Sequence, residues 1–410
     1  MRLRFTIADD HRTVTGTEHV EFRPDRPISE LVFRLTANTR PTVEEGNRIE
    51  VTAATAQPRA GRPRFTAANA ARSTQGGLLH VPFAATVAAG TPVAADIRFR
   101  LTLGAESFDR FGTAGDYAYF ASAQPLLAWE RGFGWHTEGM LEFPVESATS
   151  EAMDVDLTVV APARDTVVMS GDPPDPPRGG ATRTWHSTIA AARDVSVAAG
   201  PFSVADTSVE GVRLRLGAPS PDVRDALLPE FRRAIVRLAR RFGPFPFPSL
   251  SVARLPAAGG GIEYPSSILM LDGSRVVAVH ETAHQWFYAM VGNSQALHPW
   301  LDEAFAQYAE ELVDGTAPRG ARALNEPGDV DATTESYGSD ESRYFSVTYD
   351  KGAAALFAAR EAAGAAKWDA ALRCYVARNA WRIAHPGDLR AALADLPAAI
   401  GVLKRAGALR

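Results

Sequence analysis

The sequence predicts an α+β protein in two parts, an antiparallel β-rich first half followed by a largely helical second half. Short alternating apolar and polar runs fill the chain from its start to about residue 207, and near residue 220 the apolar spacing changes to that of helices. The length of 410 residues also exceeds what one hydrophobic core usually serves. The two domains are therefore expected at 1–207 and 208–410.

In the first half, Arg2 to Ile7, Leu31 to Leu35, Ile97 to Leu101 and Val155 to Val160 alternate with the period of a half-buried strand. Turn clusters separate such runs, among them Gly171-Asp172-Pro173-Pro174-Asp175-Pro176-Pro177. From Pro221-Asp222 onward, Leu227, Leu228, Phe231, Ile235, Leu238 and Phe242 recur at helical spacing until Gly243 and Pro244 stop the helix. Short strands are expected at 249–254 and 267–271, and helices at 275–291, 299–314, 349–363, 366–381 and 387–395. The stretch 316–341, rich in Gly, Asp, Pro and Thr, reads as a long surface loop near a cleft.

Composition narrows the function. Forty-eight acidic and 43 basic residues, mixed along the chain, give a net charge of −5 and no basic patch, which excludes nucleic acid and anionic lipid as partners. Cys374 is the only cysteine, so no internal disulfide or thiolate metal cluster can form, and any metal must be held by His and carboxylates. The first ten residues lack the apolar run of a signal peptide, and no stretch is long enough to span a bilayer. As written the chain reads as cytoplasmic. Because a strand begins at Arg2, an upstream targeting segment and an extracytoplasmic location stay open. Nothing in the sequence specifies an oligomeric state.

The chemistry concentrates in His280-Glu281-Thr282-Ala283-His284, inside a segment whose Val276, Val279, Ala283, Trp286, Phe287 and Met290 support a helix ending at Gly292. Histidines four apart share one helix face, about 5–6 Å between Cβ atoms, so both imidazoles can grip one ion with Glu281 beside them as base. A catalytic zinc takes three protein ligands and leaves a position for water. Glu303 is the candidate third ligand, on a second amphipathic helix opened by Pro299 and marked by Trp300, Ala304 and Tyr308. With nine histidines in the chain, a chance His-Glu-x-x-His is on the order of one in a hundred. One zinc ion per chain is expected. Glu310, seven residues past Glu303 on the same face, is a candidate acceptor for the outer nitrogen of a ligating imidazole.

His280, Glu281 and His284, followed after eighteen residues by Glu303, resemble the alanyl-aminopeptidase family of gluzincins, which also includes the leukotriene hydrolases. Gly259-Gly260-Gly261-Ile262-Glu263-Tyr264 looks like that family's Gly-x-Met-Glu-Asn element, and Tyr349-Asp350-Lys351-Gly352 its Tyr-x-Lys-Gly element. The resemblance implies a saddle-like N-terminal β domain, a thermolysin-like catalytic domain and a peptide substrate. It implies that Glu263 binds the substrate's α-amino group, that the Gly259 to Gly261 backbone runs beside the peptide, and that Tyr349 donates to the developing oxyanion. On their own the three glycines read equally as a flexible turn, and Tyr349 as packing at a helix start. Gln124 resembles loosely the family's polar residue at the domain interface, and on its own reads as part of a solvated loop.

The chain departs from the pattern at Ile262, Tyr264 and Asp302, where the family has Met, Asn and Asn. These changes bear on pocket shape and on contacts behind the metal. The family's further helical domain is not found within these 410 residues, which loosens the expectation of strict exopeptidase action. The principal expectation is a zinc aminopeptidase with a Glu-activated water. The alternatives are a zinc hydrolase of other specificity, such as an endopeptidase or epoxide-opening enzyme, and a zinc-containing scaffold without turnover.

Overall fold

The computed structural model describes residues 1–58, 61–105, 110–139, 143, 149–171, 173–177, 179–257, 259–315 and 323–410. Asp172 of the Gly171–Pro177 turn cluster and the first seven residues of the expected 316–341 loop lie outside them.

The first half is β-rich as the alternation predicts. A six-stranded sheet runs in the order Thr182–Ala192, Met153–Pro162, Arg2–Ile7, Thr13–Phe22, Val93–Thr102, Arg48–Gln57. All its pairings are antiparallel but one: Arg2–Ile7 lies parallel to Met153–Pro162, with Arg2 opposite Asp156. A four-stranded sheet around Ile28–Arg34 and Leu78–Val87 and another around Ser196–Gly200 and Tyr117–Ala121 close over it. Inward residues such as Phe5, Phe33, Phe99, Phe120 and Trp185 form one core, as expected when every second residue of a strand faces the same side.

The second half starts with a five-stranded sheet, Ser203–Val209, Val212–Ala218, Ser249–Arg254, Ser267–Met270 and Gly261–Tyr264 in spatial order. Its first strand begins at Ser203, so the structural change falls slightly ahead of residue 208. Both faces are buried. Leu216, Val252, Ile268 and Met270 pack on helix α1 (Pro221–Phe242) through Leu227, Phe231 and Ile235, while Ala253, Leu269 and Tyr264 pack against Tyr119 and Ala198 of the β-rich half. The sheet thus serves as the wall between the two cores. Ser220 caps α1 by accepting from the Val223 N–H, and Gly243 ends it at φ 108°, a conformation that suits glycine.

Two helices on the far side carry the candidate ligands: α2 (Arg275–Ala283), capped by Ser274, and α3 (Trp300–Asp314), entered from Pro299. The expected helix 275–291 is cut short. After His284 the backbone leaves the helical path, and Tyr288 takes φ 107°. The expected helix from 349 also differs, because the chain is already helical at Glu341–Tyr344, continues as a π-helix over Phe345–Lys351, and becomes the α-helix Gly352–Ala363. Ala365–Asn379 and Pro386–Ala392 match the expected helices to within a few residues, and Pro397–Arg405 is a further helix. The described part of the 316–341 stretch contains the 3-10 turns Ala323–Asn325 and Thr334–Tyr337, and its last residue opens the helix Glu341–Tyr344.

Candidate metal centre

His280 and His284 project from one face of α2, their rings 4.9 Å apart and inclined by 72°. Each Nε2 lies 3.4 Å from the same oxygen, Oε2 of Glu303 on α3. That separation is too long for a good N–H···O bond. It does match the edge of a tetrahedron around a zinc ion with Zn–N of about 2.0–2.1 Å, which is about 3.3 Å. No hydrogen bond of ordinary geometry ends on Glu303 Oε2 among the described residues, although it is buried. The three donors therefore fit a small divalent cation.

The outer nitrogens are turned to acceptors. His284 Nδ1 stands 2.7 Å from Asp302 Oδ1 and 3.2 Å from the Phe287 carbonyl, and Gln295 Nε2 donates to the other Asp302 oxygen at 3.0 Å. His280 Nδ1 faces Glu310 Oε2 at 3.4 Å. This network assigns the proton of each imidazole to Nδ1 and points the Nε2 lone pairs at the centre. Burial opposes charge on Glu303, yet the two imidazoles hold its carboxyl below the usual range. Burial likewise opposes charge on His280, while Glu303 and Glu310 carry its pKa up to about 9. Five buried carboxylates, Glu263, Glu281, Asp302, Glu303 and Glu310, gather around two imidazoles, an arrangement that calls for added positive charge.

Glu281 is not part of the ligand trio. Burial pushes its pKa up to about 7, with His280 and His284 drawing it partly back, which is the range a general base needs. Its side chain lies directly on Gly261 of the edge strand, where a Cβ would overlap Glu281 Cγ and stand 2.7 Å from Oε1. Gly261→Ala is therefore expected to displace the carboxylate and lower kcat by about 10² without loss of bound zinc, read by turnover and atomic emission. A change below threefold would show that the strand yields instead.

The structure brings the other predicted residues to the same place. Glu263, 3% exposed on the edge strand, has Oε1 3.9 Å from His284 Nδ1, and ligand atoms of Glu263, Glu281 and His284 lie within 4.8 Å of one another. Tyr349 lies face to face with the His280 ring at 6.2 Å and 8°. Gly259 and Gly260 sit in the turn before the edge strand, and the Gly260 carbonyl accepts from Leu271 and Asp272 N–H at 2.8 and 2.9 Å. Gly259 has φ 140°.

The peptidase family M1 domain model matches residues 266–404. This segment is similar to the peptidase family M1 domain. It takes in both histidines, Glu281, Glu303 and Tyr349, and starts just after Glu263. Aminopeptidase M1-B of Oryza sativa subsp. japonica is 29% identical over 185 residues, 37% of this chain and 21% of its own length. Endoplasmic reticulum aminopeptidase 1 of Homo sapiens is 26% identical over 192 residues, 39% of this chain and 20% of its own. The chain thus spans about a fifth of the length of these curated relatives. The M1 zinc metallopeptidase of Deinococcus radiodurans superposes with TM-score 0.74 at 20% identity, covering 99% of this chain and 92% of its own. A mutant of that enzyme bound to a Tyr-Ser-Ala substrate gives 0.75 at 19% identity, covering 100% and 93%. At this identity the likeness establishes the two-part α+β fold across the whole chain.

Within the matched segment, further contacts hold the elements of the site in place. Asp302 stood out only as a departure from the family pattern, whereas the structure makes it the partner of His284. Lys351 Nζ ties down the carbonyls of Glu326 and Gly328 at 2.7 and 2.6 Å. Gly352 is needed for packing, since a Cβ there would stand 2.5 Å from that of Ala304, next to Glu303. In the β-rich half, Gln124 is fully buried and donates to Asp194 at 2.7 Å, which corrects its reading as a solvated loop residue.

Proposed function

We propose that this chain is a zinc-dependent aminopeptidase that removes N-terminal residues from peptides, with its catalytic domain at 208–410 and a β-rich domain at 1–207. The observation that carries this reading is the convergence of two Nε2 atoms and one carboxylate oxygen at 3.4 Å, with a base of raised pKa alongside. His280, His284 and Glu303 hold one zinc ion. When bound, that ion supplies a Lewis acid that polarises a carbonyl and lowers the pKa of water.

The protein's own groups do the rest. Glu281 takes a proton from the attacking water and returns it to the leaving amine. Tyr349 donates a hydrogen bond to the oxygen that becomes negative. Asp302 and Glu310 accept from the Nδ1 atoms and keep both imidazoles turned with Nε2 toward the metal. Glu263 pairs with the substrate ammonium beside the edge strand, with the Gly259, Gly260 and Gly261 backbone next to the peptide. Among the described residues no helix is long and apolar enough to cross a membrane. A reducing, cytoplasmic setting suits the lone exposed thiol of Cys374.

Hydrolysis of aminoacyl arylamides with and without chelator, beside N-terminally blocked peptides, tests the proposal. Chelator-sensitive cleavage of the free-amine substrates alone is the expected result, and equal cleavage of blocked peptides would assign an endopeptidase. Glu263→Gln is expected to raise KM for the arylamides about 10- to 100-fold, the equivalent of one charge-assisted hydrogen bond. An unchanged KM would remove Glu263 from the amino-group site.

A further inference from the structure

Arg193 belongs to the β-rich half, 3% exposed just before the strand Ser196–Gly200. Among the described residues its hydrogen bonds all end on backbone carbonyls: Nε on Tyr288 at 3.0 Å, Nη1 on Ser150 at 3.1 Å, and Nη2 on Met290 at 3.3 Å and Arg382 at 2.7 Å. A buried guanidinium is costly unless its donors are satisfied. Burial draws its pKa down to about 10. Two of its four acceptors, Tyr288 and Met290, lie in the turn that directly follows His284.

That turn is unusual in its own right. Tyr288 has φ 107°, a strained conformation for a bulky side chain, which persists only where surrounding contacts over-determine it. The N–H groups of Ala289, Met290 and Val291 reach back five residues, to the carbonyls of His284, Gln285 and Trp286 at 2.9, 3.2 and 3.0 Å. This widened path brings the Phe287 carbonyl to 3.2 Å from His284 Nδ1. Gly292 leaves room for the guanidinium, because a Cβ there would overlap it. The inner side of the turn is thus held by His284 and the outer side by Arg193.

We propose that Arg193 is a positioning residue through which the β-rich half orients the His284 imidazole toward the metal. The inference rests on His284 being a metal ligand. Asp302 fixes which ring nitrogen carries the proton, and Arg193 fixes where the turn and its Phe287 carbonyl stand. Without the guanidinium, the apolar spacing of Trp286, Phe287 and Met290 favours a regular helix. That path withdraws the carbonyl from Nδ1 and frees the ring to rotate.

Two variants reach the contact independently: Arg193→Met removes the donors at similar length, and Gly292→Ala keeps Arg193 but displaces it. Zinc affinity is read by chelator competition, the visible spectrum of the cobalt-substituted protein reports ligand geometry, and circular dichroism confirms folding. In both variants zinc is expected to bind about 10- to 100-fold more weakly with a shifted cobalt spectrum. Folded variants that bind zinc within threefold of the parent, with an unchanged cobalt spectrum, overturn the proposal. If Arg193→Met fails to fold, Gly292→Ala decides alone. A parent chain that binds no zinc, or a His284→Ala variant that binds it normally, refutes the metal reading instead.

Discussion

Glu281→Gln is expected to lower kcat by two to four orders of magnitude, the usual worth of a positioned general base, while leaving bound zinc at the level of the parent chain. The amide keeps the shape that lies against Gly261, so neither the edge strand nor the helix is disturbed. It cannot take a proton at neutral pH. Metal content should not fall, because the three converging donors belong to His280, His284 and Glu303. Turnover of an aminoacyl arylamide beside atomic emission on the same sample checks both halves of the expectation. Residual activity within tenfold of the parent would take the base role from Glu281. The pH profile follows the same group. A base works in its ionised form, so kcat/KM rises as pH climbs through the Glu281 pKa. Burial sets that pKa at about 7 against the pull of two imidazoles, and a bound cation adds to the pull, so the midpoint of the acid limb is expected below 7.

The second large effect is expected from Tyr349→Phe, a fall in kcat of about 10² to 10³, the worth of one preorganised oxyanion donor, with KM and zinc content little changed. The substitution deletes a single oxygen and keeps the ring that lies parallel to His280 and 4.8 Å from Phe345. Tyr349 also packs near Tyr344 at the edge of a small aromatic cluster, so a purely structural role would appear as a lowered melting temperature with kcat intact. That outcome would return Tyr349 to packing alone.

Much of this site was legible from spacing. The interval between His280 and His284 fixes a common helix face whatever the surroundings, and Pro299 marks the entry to the helix that carries Glu303. The alternating runs likewise anticipated the strands around Ile97 and Val155, because one-sided burial leaves a period of two in the sequence, whereas the expected strand around Leu31 forms with Leu31 to Arg34 buried on both faces. The misses have a common cause in partners far along the chain. The apolar period of Trp286, Phe287 and Met290 promised helix to residue 291, but those three are buried in an irregular turn whose carbonyls are claimed by Arg193, about a hundred residues earlier. Gln124 looked solvated until Asp194 was placed beside it. The π-helical stretch Phe345–Lys351 has no periodicity of its own that distinguishes it from an α-helix.

The parallel seating of Arg2–Ile7 against Met153–Pro162 has a consequence for how the protein is made. Arg2–Ile7 can pair with Thr13–Phe22 on one side as soon as both are made, but its other edge has no partner until residue 156 and beyond have been synthesised. Closing so long a loop is slow and contributes a high contact order. Until then, nascent chains carry a long β-hairpin with an open edge, the kind of surface that pairs with a neighbouring copy. Chaperone demand during translation should therefore be greatest while the chain between Thr13–Phe22 and Met153–Pro162 is being made, and fall once Met153–Pro162 is in place.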